Sequence, residues 1–193
     1  GNRSSGKQGH AIAKALAEQG ADVTLIAGPT ALPDPMGVKM IHVTSAAEML
    51  GACERALPVD IAICAAAVSD WKVKSPAKRK IKKNGKAPKL SLVENPDILH
   101  RLSKKSPRRP KLVIGFAAET ESLLKNAAEK RKRKGCDWII ANDVSGGKAF
   151  DADDNEVLLI TAEGKESWPR MSKESIAERL AERITVHFKK RAA

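Results

Sequence analysis

Residues 61–83 read IAICAAAVSDWKVKSPAKRKIKK. The opening apolar run has the character of a strand buried on both faces of a parallel sheet. The run stops at Asp70, and seven of the twelve residues at 72–83 are Lys or Arg. A rigid strand that delivers one carboxylate, followed at once by a cationic loop over 72–85, suits a polyphosphate and its metal. The anion needs positive charge, the metal needs oxygen ligands, and the strand fixes where they meet. A solvated basic loop after a core strand explains this segment alone equally well, so its meaning turns on the rest of the chain.

Outward from this segment, strands are predicted at 21–27, 39–43, 61–67, 112–116, 138–141 and 157–161, with an alternating, exposed strand at 89–93. Ser4 or Ser5 is expected to cap a first helix in which Ile12 and Leu16 lie one turn apart and which Gly20 ends. Ser45 and Glu48 form a capping box for a helix over 45–57. Asn95-Pro96-Asp97 opens a helix to about Ser103, Thr120 caps one running to Lys134, and 172–189 is an amphipathic terminal helix. Asn142-Asp143 reads as a turn. Strands alternating with helices, several of the strands apolar throughout, give one α/β domain over 1–193 with a mostly parallel sheet covered on both faces.

A chain of 193 residues can bury a substantial core. It holds no apolar run near the ~20 residues that cross a bilayer and no signal peptide. Cys53, Cys64 and Cys136 are odd in number and widely spaced, so a disulfide framework is not expected, Cys64 is expected to pack as a small hydrophobe, and a reducing cytoplasm fits best. The net charge of +12 points to anionic partners. Aromatic residues make up only 3% of the chain and Tyr is absent, which leaves few platforms for stacked bases. The chain begins with Gly1, so it is expected to be processed or part of a longer protein.

Ligands in such folds sit at the carboxyl ends of the strands. There stand Asp70, Glu119, Asn142 and Asp143; helix capping and turn formation account for Glu119 and Asp143 taken singly. The segment SSGKQG places consecutive backbone N–H groups at a helix start, which suits an anion. His10, His42, His100 and His187 are scattered, which gives nucleophilic triads and zinc sites little support.

Several segments in order, NRSSGKQGxAIA, AAAVSDW followed ten residues after Asp70 by KIKK, ENPDIL, GFAAET, KRxRKG and ANDVS, make the chain similar to the bacterial phosphopantothenoylcysteine synthetases, the ligases of coenzyme A biosynthesis. The resemblance implies a Rossmann-like fold, usually dimeric, and a ligase that joins 4′-phosphopantothenate and L-cysteine. The phosphopantothenate carboxylate attacks the α-phosphate of CTP, pyrophosphate leaves, and the cysteine amine displaces CMP from the acyl-cytidylate, with Mg2+ accompanying the triphosphate. Carried onto this chain, it assigns nucleotide binding to the backbone around Cys64, Ala65 and Ala66, to Asp70 and Lys80, to the turn Asn95, Pro96, Asp97 and Ile98, and to Phe116, Lys130 and Lys134. Asn2 and Lys80 are the implied catalytic residues, Asn2, Ser4, Ser5 and Gly6 the substrate-binding ones, and Asp70 the metal ligand. CTP itself is implied by the resemblance alone.

In many bacteria this family's domain follows a flavin-dependent decarboxylase, which is an expected fused or associated partner; no membrane and no nucleic acid is expected. The family normally begins with a further strand and a glycine-containing turn before Asn2, which this chain lacks; that strand would lie mid-sheet, beside the substrate site. Two alternatives compete. A nicotinamide-dependent oxidoreductase lacks its GxGxxG after a strand, and a basic nucleic-acid-binding module predicts affinity that falls steeply with salt.

Overall fold

The computed structural model describes residues 4–75, 89–119, 121–143 and 154–192. Chain order is α1 (Lys7–Glu18), β1 (Thr24–Ala27), β2 (Lys39–His42), α2 (Ala46–Ala56), β3 (Ile61–Cys64), β4 (Trp71–Val73), β5 (Leu92–Glu94), α3 (Ile98–Ser103), β6 (Leu112–Glu119), α4 (Leu123–Lys134), β7 (Trp138–Asp143), β8 (Asp154–Ile160), β9 (Lys165–Ser172) and α5 (Lys173–Ala192). A five-stranded sheet runs β3-β6-β7-β8-β9, with β3, β6 and β7 parallel and β8 antiparallel to both of its neighbours. β1 and β2 form a separate parallel pair, and β4 and β5 an antiparallel ribbon. Among the described residues nothing pairs with the second edge of β1 or of β3.

Alternation along the strands divides the core. Leu112 and Ile114 of β6 and Ile140 of β7 pack with Ile12 of α1 and with Ile176, Leu180 and Ile184 of α5. Val113, Ala117, Ile139 and Ala141 face the other way, with Leu99 of α3 and Ala127 of α4. Gly115 lets α3 settle there: a Cβ on it would stand 2.5 Å from Leu99 Cδ2 and 2.9 Å from Ile139 Cδ1. A side chain at 115 would therefore push α3 off the sheet.

The local chemistry follows the sequence in most places. Ser45 Oγ accepts from Glu48 N at 3.2 Å, and the Glu48 carboxylate reaches back to Thr44, to its N at 2.7 Å and its Oγ1 at 2.9 Å. Hydrogen bonds from the Thr44 backbone and hydroxyl hold that carboxyl below its ordinary value. Gly20, at φ 87°, closes α1, with its N–H on Ala17 O at 2.9 Å and Ala21 N on Leu16 O at 3.1 Å.

Four expectations are corrected. The N-cap of α1 is Gly6, at φ 76°, while the Ser4 and Ser5 hydroxyls accept from Gly6 N and Lys7 N at 3.4 Å each. The N-cap of α4 is Ser122, at φ 48°, and the expected cap Thr120 lies outside the described residues. Asn142 and Asp143 extend β7 opposite Ala118 and Glu119; their turn-forming chemistry yields to a ladder already in register. Residues 165–172, given no element from the sequence, form β9.

The amino ends of the parallel strands are laced together. Arg109 donates to Ser103 O at 2.9 Å, to Pro110 O at 2.8 Å and to Asp137 Oδ2 at 3.0 Å. The same Asp137 oxygen accepts from Val113 N at 2.7 Å, and Arg131 donates to Asp137 O at 3.2 Å. Lys111 pairs with Asp60 at 2.7 Å, just ahead of β3.

Candidate active site

On the face of the sheet that carries α3 and α4, several of the expected residues collect. Asp97 is the N-cap of α3 and accepts from His100 N at 3.0 Å. Its other carboxylate oxygen accepts from Lys134 in the last turn of α4. Burial would raise the Asp97 carboxyl, but the bonds from Lys134 and from His100 N outweigh it and hold the group below its ordinary value. The Lys134 side chain keeps only 18% of its exposure and that of Asp97 42%, so the pair is sheltered on the lysine side.

Lys130, one turn earlier on α4, is half-buried. Burial pulls its ammonium below the ordinary lysine value; Glu119 at the end of β6 opposes this, and Lys134 and Arg133 add to it. A desolvated cation beside two like charges is a place where an arriving anion is favoured. Cys64, the last residue of β3, packs into the same face, and burial pushes its thiol up to about 12. It thus packs as a small apolar wall, as the sequence suggested.

The turn after β3 is held by a different part of the expected set. The Asn95 amide donates to Ser69 O at 2.9 Å, to Ser69 Oγ at 3.2 Å and to Trp71 O at 3.4 Å, while Asn95 N donates to Asp70 O at 2.7 Å. Asp70 is exposed, and Ala65 and Ala66 follow β3 without regular structure. Pro96 is half-buried, and Ile98 is a core residue at 8% exposure, so this turn offers its backbone and not the Ile98 side chain.

Some expected residues stand apart from this cluster. Phe116 lies on the other face of the sheet, partly buried against the cluster under α1 and α5. Ser4, Ser5 and Gly6 lie at the start of α1, where a Cβ on Gly6 would stand 2.7 Å from Thr30 Cγ2, just beyond the end of β1. Asn2, Lys80 and most of the 72–85 loop lie outside the described residues. Glu119 and Asp143 are register partners at the strand ends. Among the described residues no group of three or more His, Cys, Asp or Glu is placed to hold a metal ion. The sequence reading gave Ser69 and Thr30 no role, because Asn95 and Gly6, which meet them, are distant in the chain. Among the described residues no helix is long and apolar enough to cross a membrane.

Residues 1–187 match the family described as the DNA/pantothenate metabolism flavoprotein C-terminal domain. The chain belongs to this family. It is 44% identical over 190 residues to the coenzyme A biosynthesis bifunctional protein CoaBC of Haemophilus influenzae, covering 98% of this chain and 47% of that one. It is 42% identical over 202 residues to CoaBC of Mycolicibacterium smegmatis, covering 98% of this chain and 49% of that one. The chain therefore spans about half the length of the curated relatives it matches. Among solved structures, the C-terminal domain of a CoaBC superposes with a TM-score of 0.79 at 31% identity, covering 98% of this chain and 86% of that one. A Cab2 mutant solved with phosphopantothenate-cysteine superposes at 0.66 and 16% identity, covering 97% of this chain and 81% of that one, and shares the fold. This flavoprotein C-terminal family thus accounts for the α/β architecture, with its parallel-dominated sheet and helices on both faces.

Proposed function

We propose that the chain is a phosphopantothenate–cysteine ligase that works in the cytoplasm and uses CTP. The observation that carries this reading is the 44% identity, across 98% of the chain, to a protein named for coenzyme A biosynthesis. The phosphopantothenate carboxylate attacks the α-phosphate of CTP and the bond to pyrophosphate breaks. In the resulting acyl-cytidylate, the cysteine amine forms the amide and CMP leaves. Lys130 and Lys134 receive phosphate charge that water would otherwise screen, and the desolvation of Lys130 makes an anionic neighbour favourable. Lys134 would then share its charge between Asp97 and the nucleotide.

Magnesium, when bound, would neutralise part of the triphosphate. The exposed Asp70 carboxylate fits as a single hard-oxygen ligand, with phosphate oxygens and water filling the other positions, since magnesium seldom uses an all-protein cage. A homodimer is part of the same proposal. Trp71, Leu90 and Leu92, on and beside the β4–β5 ribbon, are 55%, 62% and 55% exposed, and a second copy would cover them. A monomer in sedimentation at micromolar concentration would remove that element.

The expected division of labour gives Lys80 to the triphosphate and Asn2 to the acyl-cytidylate. Lys80→Ala should lose pyrophosphate release by on the order of 10²–10³ even without cysteine. Asn2→Asp should keep pyrophosphate release and slow cysteine transfer, because its added charge sits beside the intermediate's phosphate. Single-turnover release of pyrophosphate, followed against amide formation with CTP and with ATP, is the measurement. Equal loss of both steps in both variants sinks the division. Failure of the unsubstituted sequence, extended by the family's first strand, to release pyrophosphate from CTP in the presence of phosphopantothenate and magnesium sinks the ligase reading itself.

A further inference from the structure

The Asn95 side chain occupies an unusual place for a nucleotide-binding residue. Both of its N–H donors are spent on three acceptors of one turn, Ser69 O, Ser69 Oγ and Trp71 O, at 2.9, 3.2 and 3.4 Å. Its backbone N–H takes the remaining carbonyl of that turn, Asp70 O, at 2.7 Å. The Ser69 hydroxyl closes the ring by donating to Trp71 O at 3.0 Å. Residues 69–71 are thus gripped through all three carbonyls from one residue that follows β5. The turn carries Asp70 and opens directly into β4, so the grip fixes the backbone from which the carboxylate projects and the root of the ribbon.

We infer that Asn95 is a positioning residue, which acts on the nucleotide's phosphates through Asp70 and donates no hydrogen bond to them itself. This deepens the ligase reading and rests on it for its kinetic test. The physical reason is hydrogen-bond accounting. A carboxamide has two donors, and a phosphate oxygen can be bonded only by a donor that is not already committed. Removing the carboxamide strips Ser69 O and Ser69 Oγ of its donor and leaves Trp71 O with the Ser69 hydroxyl alone, which loosens the turn under Asp70, as when the outer partner of a metal ligand is lost.

The kinetic test is a double-mutant cycle in the full chain, with CTP and magnesium. Asn95→Ala should raise the KM for CTP about ten- to a hundredfold while kcat changes little, the range found for outer-shell partners. Asp70→Asn should raise it comparably, and the double variant should be no worse than Asp70→Asn alone, because both changes remove the same placed carboxylate. If the two penalties multiply in the double variant, Asn95 contacts the nucleotide itself and the inference is overturned.

A second measurement needs no activity at all. In a single chain Trp71 is 55% exposed, whereas Trp138 is 4% and Trp168 0% exposed, so at dilutions that dissociate the proposed dimer acrylamide reaches mainly Trp71. Asn95→Ala should increase quenching and lower the fluorescence anisotropy of the ligand-free protein. Ser69→Ala, which leaves the backbone acceptors in place, should do so less, and it serves if Asn95→Ala melts early. Unchanged Trp71 fluorescence in both variants would overturn the grip. A chain that ligates nothing, yet shows the fluorescence change, would overturn the ligase reading and leave the grip standing.

Discussion

At one edge of the five-stranded sheet, β9 carries Lys165, Glu166, Pro169 and Arg170, and is tied to α5 by Glu166 with Arg179 at 2.9 Å and Arg183 at 3.2 Å. At the other edge, β3 reads Ile-Ala-Ile-Cys, with no charge, no proline and every residue half-buried. Proline and charge are devices by which proteins finish a sheet and discourage further pairing. An unbroken apolar strand is the composition of an interior position in a parallel sheet. The contrast says that β9 is built as a boundary and β3 as a strand with two neighbours. Only one of them, β6, is among the described residues.

Three experiments test this contrast. The largest effect is expected at the finished edge. Trp168 is fully buried, donates from Nε1 to Glu166 at 2.9 Å and lies 5.0 Å beneath the Arg179 guanidinium. Trp168→Ala should cost about 3–5 kcal/mol in urea unfolding, as large-to-small changes in a packed core do. A loss under about 1 kcal/mol would mean that β9 is an appendage and no boundary.

Next is Gly115→Ala, on β6 beside β3. The added methyl meets Leu99 and Ile139, and overpacking of this kind should cost about 1–3 kcal/mol in the same measurement. It should also weaken CTP binding, because α3 carries Asp97. A neutral result would show that the β3 side is loosely packed, and the contrast would then extend from the edge into the core.

The smallest effect separates the two carboxylates by acid. Burial would raise Glu166, but hydrogen bonds from Arg179 and Trp168 and the charge of Arg183 outweigh it and hold it below its ordinary value. Asp97 is likewise held low. A lowered folded value means that each contribution is complete above the ordinary carboxylate range and lost as pH falls through the lowered values. Each pair is partly exposed, so the loss should stay near or below about 1 kcal/mol. Thermal melts taken downward from about pH 5 should show a shallower acid limb for Glu166→Gln and for Asp97→Asn than for the unaltered chain. Only Asp97→Asn should alter nucleotide binding. If Glu166→Gln alters it too, the two ends of the sheet are not independent.

Much of this architecture was legible because the apolar runs at 61–67, 112–116 and 138–141 announce buried strands by themselves. β9 was not, since Pro169 and alternating charge are marks of a loop until a neighbouring strand supplies the ladder. Asn142 and Asp143 misled for the converse reason: their turn preference is weak beside a register already set by Ala118 and Glu119. The pairing of Asp97 with Lys134 joins residues 37 apart in the chain, and the grip of Asn95 joins residues 24 to 26 apart. No local pattern encodes such distances. Phe116 could have been separated from Cys64 and Lys134 by counting alternate positions along β6, which places it with Leu112 and Ile114.

The knot of Arg109 and Asp137 has a mechanical meaning. It fastens the segment after α3, the start of β6 and the approach to β7 at one margin of the sheet. The parallel strands then resemble a plate clamped along one side, whose deflection under thermal agitation grows toward the free side. Cys64 and Glu119, which end β3 and β6, and the Asp70 turn that follows β3 stand at that free margin. Small movements there leave the fastened margin undisturbed, so one margin can yield while the anchor at the other holds.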